Sequence, residues 1–128
     1  MEYRSKRTFK TRWFAKVARK AQINDAELCG AIEEVMKGQA TDLGGGVFKK
    51  RLNQNRHRSI ILAKGGRYWI CEFLFAKRDR ANISASELED FRVLAKGYAA
   101  LTEREIDQLI KDKELTEICN GTQGKIQK

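Results

Sequence analysis

The chain has 128 residues, 41% of them hydrophobic and 34% charged, and a net charge of +9 at pH 7. This length fits one domain with its own core. No stretch approaches the roughly 18 apolar residues of a membrane span, and the basic first twenty residues lack the apolar h-region of a secretory signal. Such an excess of cations points to a polyanionic partner, either a nucleic acid or an acidic protein.

Arg7-Thr8-Phe9-Lys10 reads as a short strand. Thr11 then offers a hydroxyl cap to a helix whose apolar face is Phe14, Val17, Ala18 and Ala21. Asn24-Asp25-Ala26-Glu27 opens a second helix on Leu28, Ile32, Val35 and Met36, which completes a helical hairpin. Gly44-Gly45-Gly46 breaks the chain and reads as a flexible entry to the strand Val47–Leu52; no Gly-Lys-Ser/Thr follows, so it is not a phosphate loop. After the polar loop Asn53–His57, the spans Ser59–Ala63 and Tyr68–Ala76 form strands around a Lys64–Arg67 turn. The near-continuous apolarity of Tyr68–Ala76 predicts a central strand buried on both faces. Ser84-Ala85-Ser86-Glu87 and Thr102-Glu103-Arg104-Glu105 are capping boxes for two further helices. Residues 1–119 make a single domain, and Asn120–Lys128, which has no pattern, is expected to fray. The order β-α-α-β-β-β-α-α indicates an α+β fold, with helices packed on one side of a small, mainly antiparallel sheet of about four strands.

The charge is unevenly placed. Residues 49–80 hold ten lysines and arginines against two acids, and residues 1–20 hold eight basic side chains against one acid. Cys29, Cys71 and Cys119 are far apart, no C-x-x-C occurs, and His57 is the only histidine. These counts argue against a metal site, against disulfides and against cofactor chemistry; Cys29 and Cys71 read as buried thiols in a reducing cytoplasm. Trp13 and Trp69 interrupt apolar patterns and read as core, although an exposed indole can stack on a base.

Lys49, Arg51, Arg58, Lys77 and Arg78 fall at or near strand ends that the hairpins bring together, so they can converge on one phosphate-binding basin. RNA is cut without water when its own 2′-hydroxyl attacks the adjacent phosphorus and leaves a 2′,3′-cyclic phosphate. The reaction needs a base for the 2′-OH, cations for the phosphorane and a proton for the leaving 5′-oxygen. Crowded cations depress a lysine's pKa, which suits it to act as a base, worth roughly 10²–10⁴-fold. An arginine fork matches the phosphorane. On residue types alone, solvated strand edges that resist aggregation remain the alternative.

The element order, Phe48-Lys49-Lys50-Arg51-Leu52, Arg58 six residues after that leucine, and Ala76-Lys77-Arg78-Asp79-Arg80-Ala81-Asn82-Ile83 together resemble the RelE family of bacterial toxins, within the RelE/ParE superfamily. The likeness spans about Arg7 to Cys119 and is nearest a HigB-like branch with extended C-terminal helices. It implies a cytoplasmic, metal-independent mRNA endoribonuclease that acts on translating ribosomes and is held inactive by a cognate, DNA-binding antitoxin. On this resemblance Lys49 is the general base, Arg51 helps hold the phosphate, and Arg58 and Arg78 stabilise the transition state or protonate the leaving group. The family's tyrosine would fall near Ser84, where this chain has none; Tyr68 and Tyr98 are the substitutes to consider. Lys50, His57, Lys77 and Arg80 are further RNA contacts, His57 being more an exposed loop residue than a catalytic one. Lys6, Arg7, Lys10, Arg12, Lys16, Arg19 and Lys20 are read as rRNA backbone contacts or a solvated helix face. The alternatives are a non-enzymatic ParE-like gyrase poison, which lacks the basic set, and an RNA- or ribosome-binding module without chemistry.

Overall fold

The computed structural model describes residues 7–119. In chain order they form β1 (Arg7–Thr11), α1 (Arg12–Lys20), α2 (Asp25–Met36), β2 (Thr41–Gly44), β3 (Val47–Leu52), β4 (His57–Leu62), β5 (Tyr68–Ala76), α3 (Ala85–Ala99), α4 (Glu103–Lys111) and β6 (Leu115–Ile118). Every helix starts at its sequence signal. Thr11, Asn24, Ser84 and Thr102 accept the N–H of Phe14, Glu27, Glu87 and Glu105 through their side chains. The Glu87 and Glu105 carboxylates accept in return from the Ser84 and Thr102 N–H, closing both capping boxes. The frayed tail read for Asn120–Lys128 lies outside the described residues, as does Lys6.

The strands form one sheet in the order β2-β3-β4-β5-β1-β6, with β1 parallel to β5 and the other pairs antiparallel. The α+β class holds, and β5 does lie inside the sheet. The sheet has six strands rather than about four. The two extra ones are four-residue edge strands, β2 and β6, too short for a periodic signal. Gly44–Gly46, read as a flexible entry, is instead the tight β2–β3 hairpin turn, with φ between 66° and 87°. A Cβ on Gly45 would stand 2.7 Å from Arg92 Cγ. From α3, Arg92 grips this turn by donating to the carbonyls of Leu43 and Gly44.

Helices cover both faces of the sheet, not one. Phe14, Ala18, Leu28, Ile32 and Val35 of α1 and α2 pack with Ile61, Trp69, Cys71 and Leu74. Ala95 of α3 and Ile106 of α4 pack with Val47, Ile60, Leu62, Tyr68 and Ile70 on the other side. Side-chain alternation along β5 supplies both layers, which is why that strand shows no polar face. Between Ile60 and Ile61 the β4–β5 register skips Glu72. This bulge turns two successive residues toward α3: Glu72 accepts from the Tyr98 hydroxyl at 3.5 Å, and Phe73 packs 5.7 Å from Phe91. Burial pushes the Glu72 carboxyl up to about 7.

The cysteine reading is corrected. Cys29 and Cys119 form a disulfide, their Cα atoms 5.3 Å apart across 90 residues of chain. The pairing of β6 with β1 carries Cys119 back to α2, a proximity that spacing along the chain does not reveal. Cys71 is buried and free, its thiol pushed up to about 12 by burial. Among the described residues no helix is long and apolar enough to cross a membrane.

Candidate active site

Period-two alternation divides β3. Val47 packs under α3, so Lys49 and Arg51 point to the α3 face; Phe48, Lys50 and Leu52 point to the α1–α2 face. In the β3–β4 register Arg51 stands directly opposite Arg58, and Lys49 opposite Ile60. Arg58 in turn faces Phe75 on β5, and Ile60 faces Phe73. Three cations from two strands therefore share one patch of sheet just beyond the N-terminus of α3. Like charges placed directly opposite cost stability. Among the described residues none of the three forms an ion pair.

Their polar partners are neutral oxygens. Lys49 Nζ donates to Asn82 Oδ1 at 3.3 Å, and Arg58 Nη1 donates to the Asn55 and His57 carbonyls at 3.1 and 3.2 Å. Arg80 borders the patch. Its guanidinium lies 5.9 Å from the Phe73 ring and 5.5 Å from the Phe75 ring, and is fixed by a two-pronged bond to Glu87. That bond, with the Ser84 N–H, holds the Glu87 carboxyl down to about 2. Asn82 was not singled out in the sequence. Its position just before the Ser84 capping box is the signal that could have found it.

Other candidates sit elsewhere. Lys50 reaches across the opposite face to Glu34 at 2.7 Å and to the Gln39 carbonyl, and its side chain is only 14% exposed. Lys10 pairs with Asp25 at 2.7 Å and is 18% exposed. Both ammonium groups are engaged by these carboxylates. Arg7 is held by Glu117 and Glu103, and Arg12 by Glu114. Lys16, Arg19 and Lys20 are exposed on α1. His57 faces the α1–α2 side, where Asn53 Nδ2 stands 3.1 Å from its Nδ1. Lys77 and Arg78 line the same cleft as His57. Arg78 is 90% exposed, and the cleft it lines includes none of Lys49, Arg51 and Arg58.

Ser84 is the N-cap of α3, and its hydroxyl is occupied by Glu87 N–H. Tyr68 is buried with its hydroxyl bonded to Leu101 and Glu103, and Tyr98 is bound to Glu72; neither reaches the patch as an open ring. Trp13, read as core, is instead 46% exposed. It stacks on Phe73 at 5.2 Å and 15°, and so extends the row that runs through Phe75 to Arg58. Trp69 is buried as expected.

A family model described as the RelE toxin of the RelE / RelB toxin-antitoxin system matches residues 6–118. The chain belongs to the RelE toxin family. No curated protein and no solved structure matches it. As a RelE-family toxin it is one half of a toxin–antitoxin system, which implies a cognate antitoxin as partner. The patch formed by Lys49, Arg51 and Arg58 lies wholly within the matched span.

Proposed function

We propose that this RelE-family toxin is a ribosome-dependent mRNA endoribonuclease, acting in the cytoplasm by 2′-OH attack on the adjacent phosphate without a metal. The observation that carries the reading is the unneutralised trio Lys49, Arg51 and Arg58, set by strand register on one face. Lys49, when it stands as the free amine, takes the 2′-hydroxyl proton and becomes the ammonium, with Asn82 Oδ1 orienting it. Arg51 holds the phosphate. Arg58 stabilises the phosphorane charge through its planar fork. The bond from the phosphorus to the 5′-oxygen breaks, and that oxygen takes its proton from solvent water beside Arg58; Arg78, which lines the His57 cleft rather than the patch, takes no part in this step. Trp13 gives a flanking base a ring to stack on, in place of a tyrosine at Ser84. Arg80 borders the RNA path, and Lys16, Arg19 and Lys20 contact rRNA phosphates from α1.

The antitoxin, itself DNA-binding, inhibits by laying an acidic segment on the patch or by adding a strand at the exposed β2 edge. The test is inducible expression of the wild type and of Arg58→Ala and Arg78→Ala variants, with mRNA 5′ ends mapped in translating and translation-blocked cells. Codon-phased cuts that disappear with Arg58→Ala, and when translation is blocked, are expected. Intact mRNA with damaged DNA would instead favour a gyrase poison. Absence of both cleavage and toxicity would leave a binding module.

A further inference from the structure

On the far side of the β3–β4 hairpin from the trio lies a cleft of about 620 Å³, one wall of which is the turn between those strands. Three successive non-glycine residues in that turn, Asn53, Gln54 and Asn55, have φ of 55°, 56° and 72°. Left-handed backbone is costly for side-chain-bearing residues, and a run of three persists only where surrounding contacts hold it.

Asn53 supplies those contacts. Its N–H donates to Glu27, and its side-chain amide reaches the Ala21 carbonyl and His57 Nδ1. Its own oxygens accept from the Arg56 guanidinium at 3.2 and 3.1 Å. One residue therefore fixes both the His57 ring and the Arg56 fork toward the cleft. Because Nδ1 accepts from Asn53, the ring proton resides on Nε2. Burial, then Arg56 and Arg78, lower the His57 pKa.

The remaining wall is cationic and polar, with an apolar floor. Arg56, Lys77 and Arg78 give it positive charge, and Ala21 and Ala76 give it a flat surface. Gln54 and Asn55 are exposed, and among the described residues their side-chain amides have no hydrogen-bond partner. An unengaged amide offers a donor and an acceptor side by side, which matches a base edge. The Asn55 carbonyl is meanwhile held by Arg58 of the trio, so the turn couples the two faces of the hairpin.

We infer that this cleft is a second RNA subsite, which takes a single-stranded nucleotide flanking the cleaved one, its phosphate on Arg56 and Lys77 and its base edge on Gln54 and Asn55. The inference rests on the reading that the chain acts on RNA, and extends it from one phosphate to a path that wraps the hairpin end. Asn53 is a positioning residue in this arrangement.

The test uses the full chain and a 2′-O-methylated RNA tetranucleotide, which binds but cannot be cut because its attacking hydroxyl is blocked. The side-chain amide signals of Gln54 and Asn55 and the His57 ring signals are expected to shift on titration. Gln54→Gly with Asn55→Gly removes both amides and tolerates the left-handed turn. This pair should weaken binding about 3- to 10-fold with the salt dependence unchanged. Arg56→Ala with Lys77→Ala should flatten the slope of log affinity against log salt by about 0.7, the share of one phosphate on a single strand. Lys49→Ala, which leaves the Arg58–Asn55 bond in place, should lower cleavage of unmodified mRNA on ribosomes by about 10²–10³-fold and leave the cleft signals shifting. Cleft shifts in a wild type that never cuts RNA would uphold the subsite and remove the endonuclease reading. Wild-type affinity and slope in both cleft variants, or signals that shift with polyglutamate and not with the tetranucleotide, would overturn the subsite.

Discussion

Lys49 and Lys50 are neighbours in sequence and opposites in circumstance. Lys50 belongs to the α1–α2 face, where cations meet carboxylates: Lys50 with Glu34, Lys10 with Asp25. The same face holds the Cys29–Cys119 bridge. Lys49 belongs to the α3 face, where Arg51 and Arg58 stand opposite each other without an acid. Within the strands, one face is arranged to hold the fold and the other keeps its charge available for an anion; the cations of the His57 cleft come from turns, where this division does not apply. The lesson is that counting cations along the chain overstates the binding surface, because strand parity decides which of them remain unneutralised.

The largest expected effect tests that division directly. Lys49→Ala or Arg58→Ala should lower the single-turnover rate of mRNA cleavage on ribosomes by about 10²–10³-fold, the loss expected for a transition-state contact. Lys50→Ala should leave that rate near the wild-type value. Equal losses in Lys49→Ala and Lys50→Ala would break the comparison. Arg58→Ala should at the same time leave the urea midpoint unchanged or slightly raised, because it relieves the opposed charges.

Stability should respond on the other face. Cys29→Ser with Cys119→Ser, or reduction of the bridge, is expected to cost about 2–4 kcal/mol in urea unfolding, because the bridge closes a long loop. Cleavage should persist in the folded variant. A variant that unfolds with the wild-type midpoint would show that the bridge constrains nothing.

Glu72 offers a smaller effect and a pH signature. Its folded pKa of about 7 lies above the 4.5 of an unburied carboxyl, so the native state holds the proton more tightly. Its contribution therefore declines as pH rises from 4.5 through 7. Glu72→Gln should remove this decline and gain on the order of 1–3 kcal/mol at pH 8, read from urea midpoints across pH. A Glu72→Gln profile parallel to the wild type would count against the buried carboxyl.

Glu87 should act in the reverse sense and least of all. Its folded pKa of about 2 lies below 4.5, so the Arg80–Glu87 pair contributes fully above pH 4.5 and is lost as pH falls through 2. Glu87→Gln should flatten the acid limb of the stability profile, with a modest effect because the pair is part-exposed. An unchanged acid limb would assign that limb to other carboxylates.

Local signals in the chain determined the helices, the hairpin of β3, β4 and β5, and the presence of Lys49, Arg51 and Arg58 on neighbouring strands. Caps and alternation act over three or four residues, so a sequence displays them completely. Helix placement on both faces, β2 and β6, and the Cys29–Cys119 bridge depend on partners brought together only by the folded sheet. The same is true of the candidate site. Parity could place Lys49 and Arg51 together, but only the register set Arg58 opposite Arg51, and only the turn after β5 put Arg78 on the far rim. Trp13 looked like core by its pattern, and its exposure was decided by where the first turn of α1 meets Phe73. Short-range chemistry is written in the order of residues, whereas the neutralisation of a charge or the covering of a ring depends on which distant segment arrives beside it.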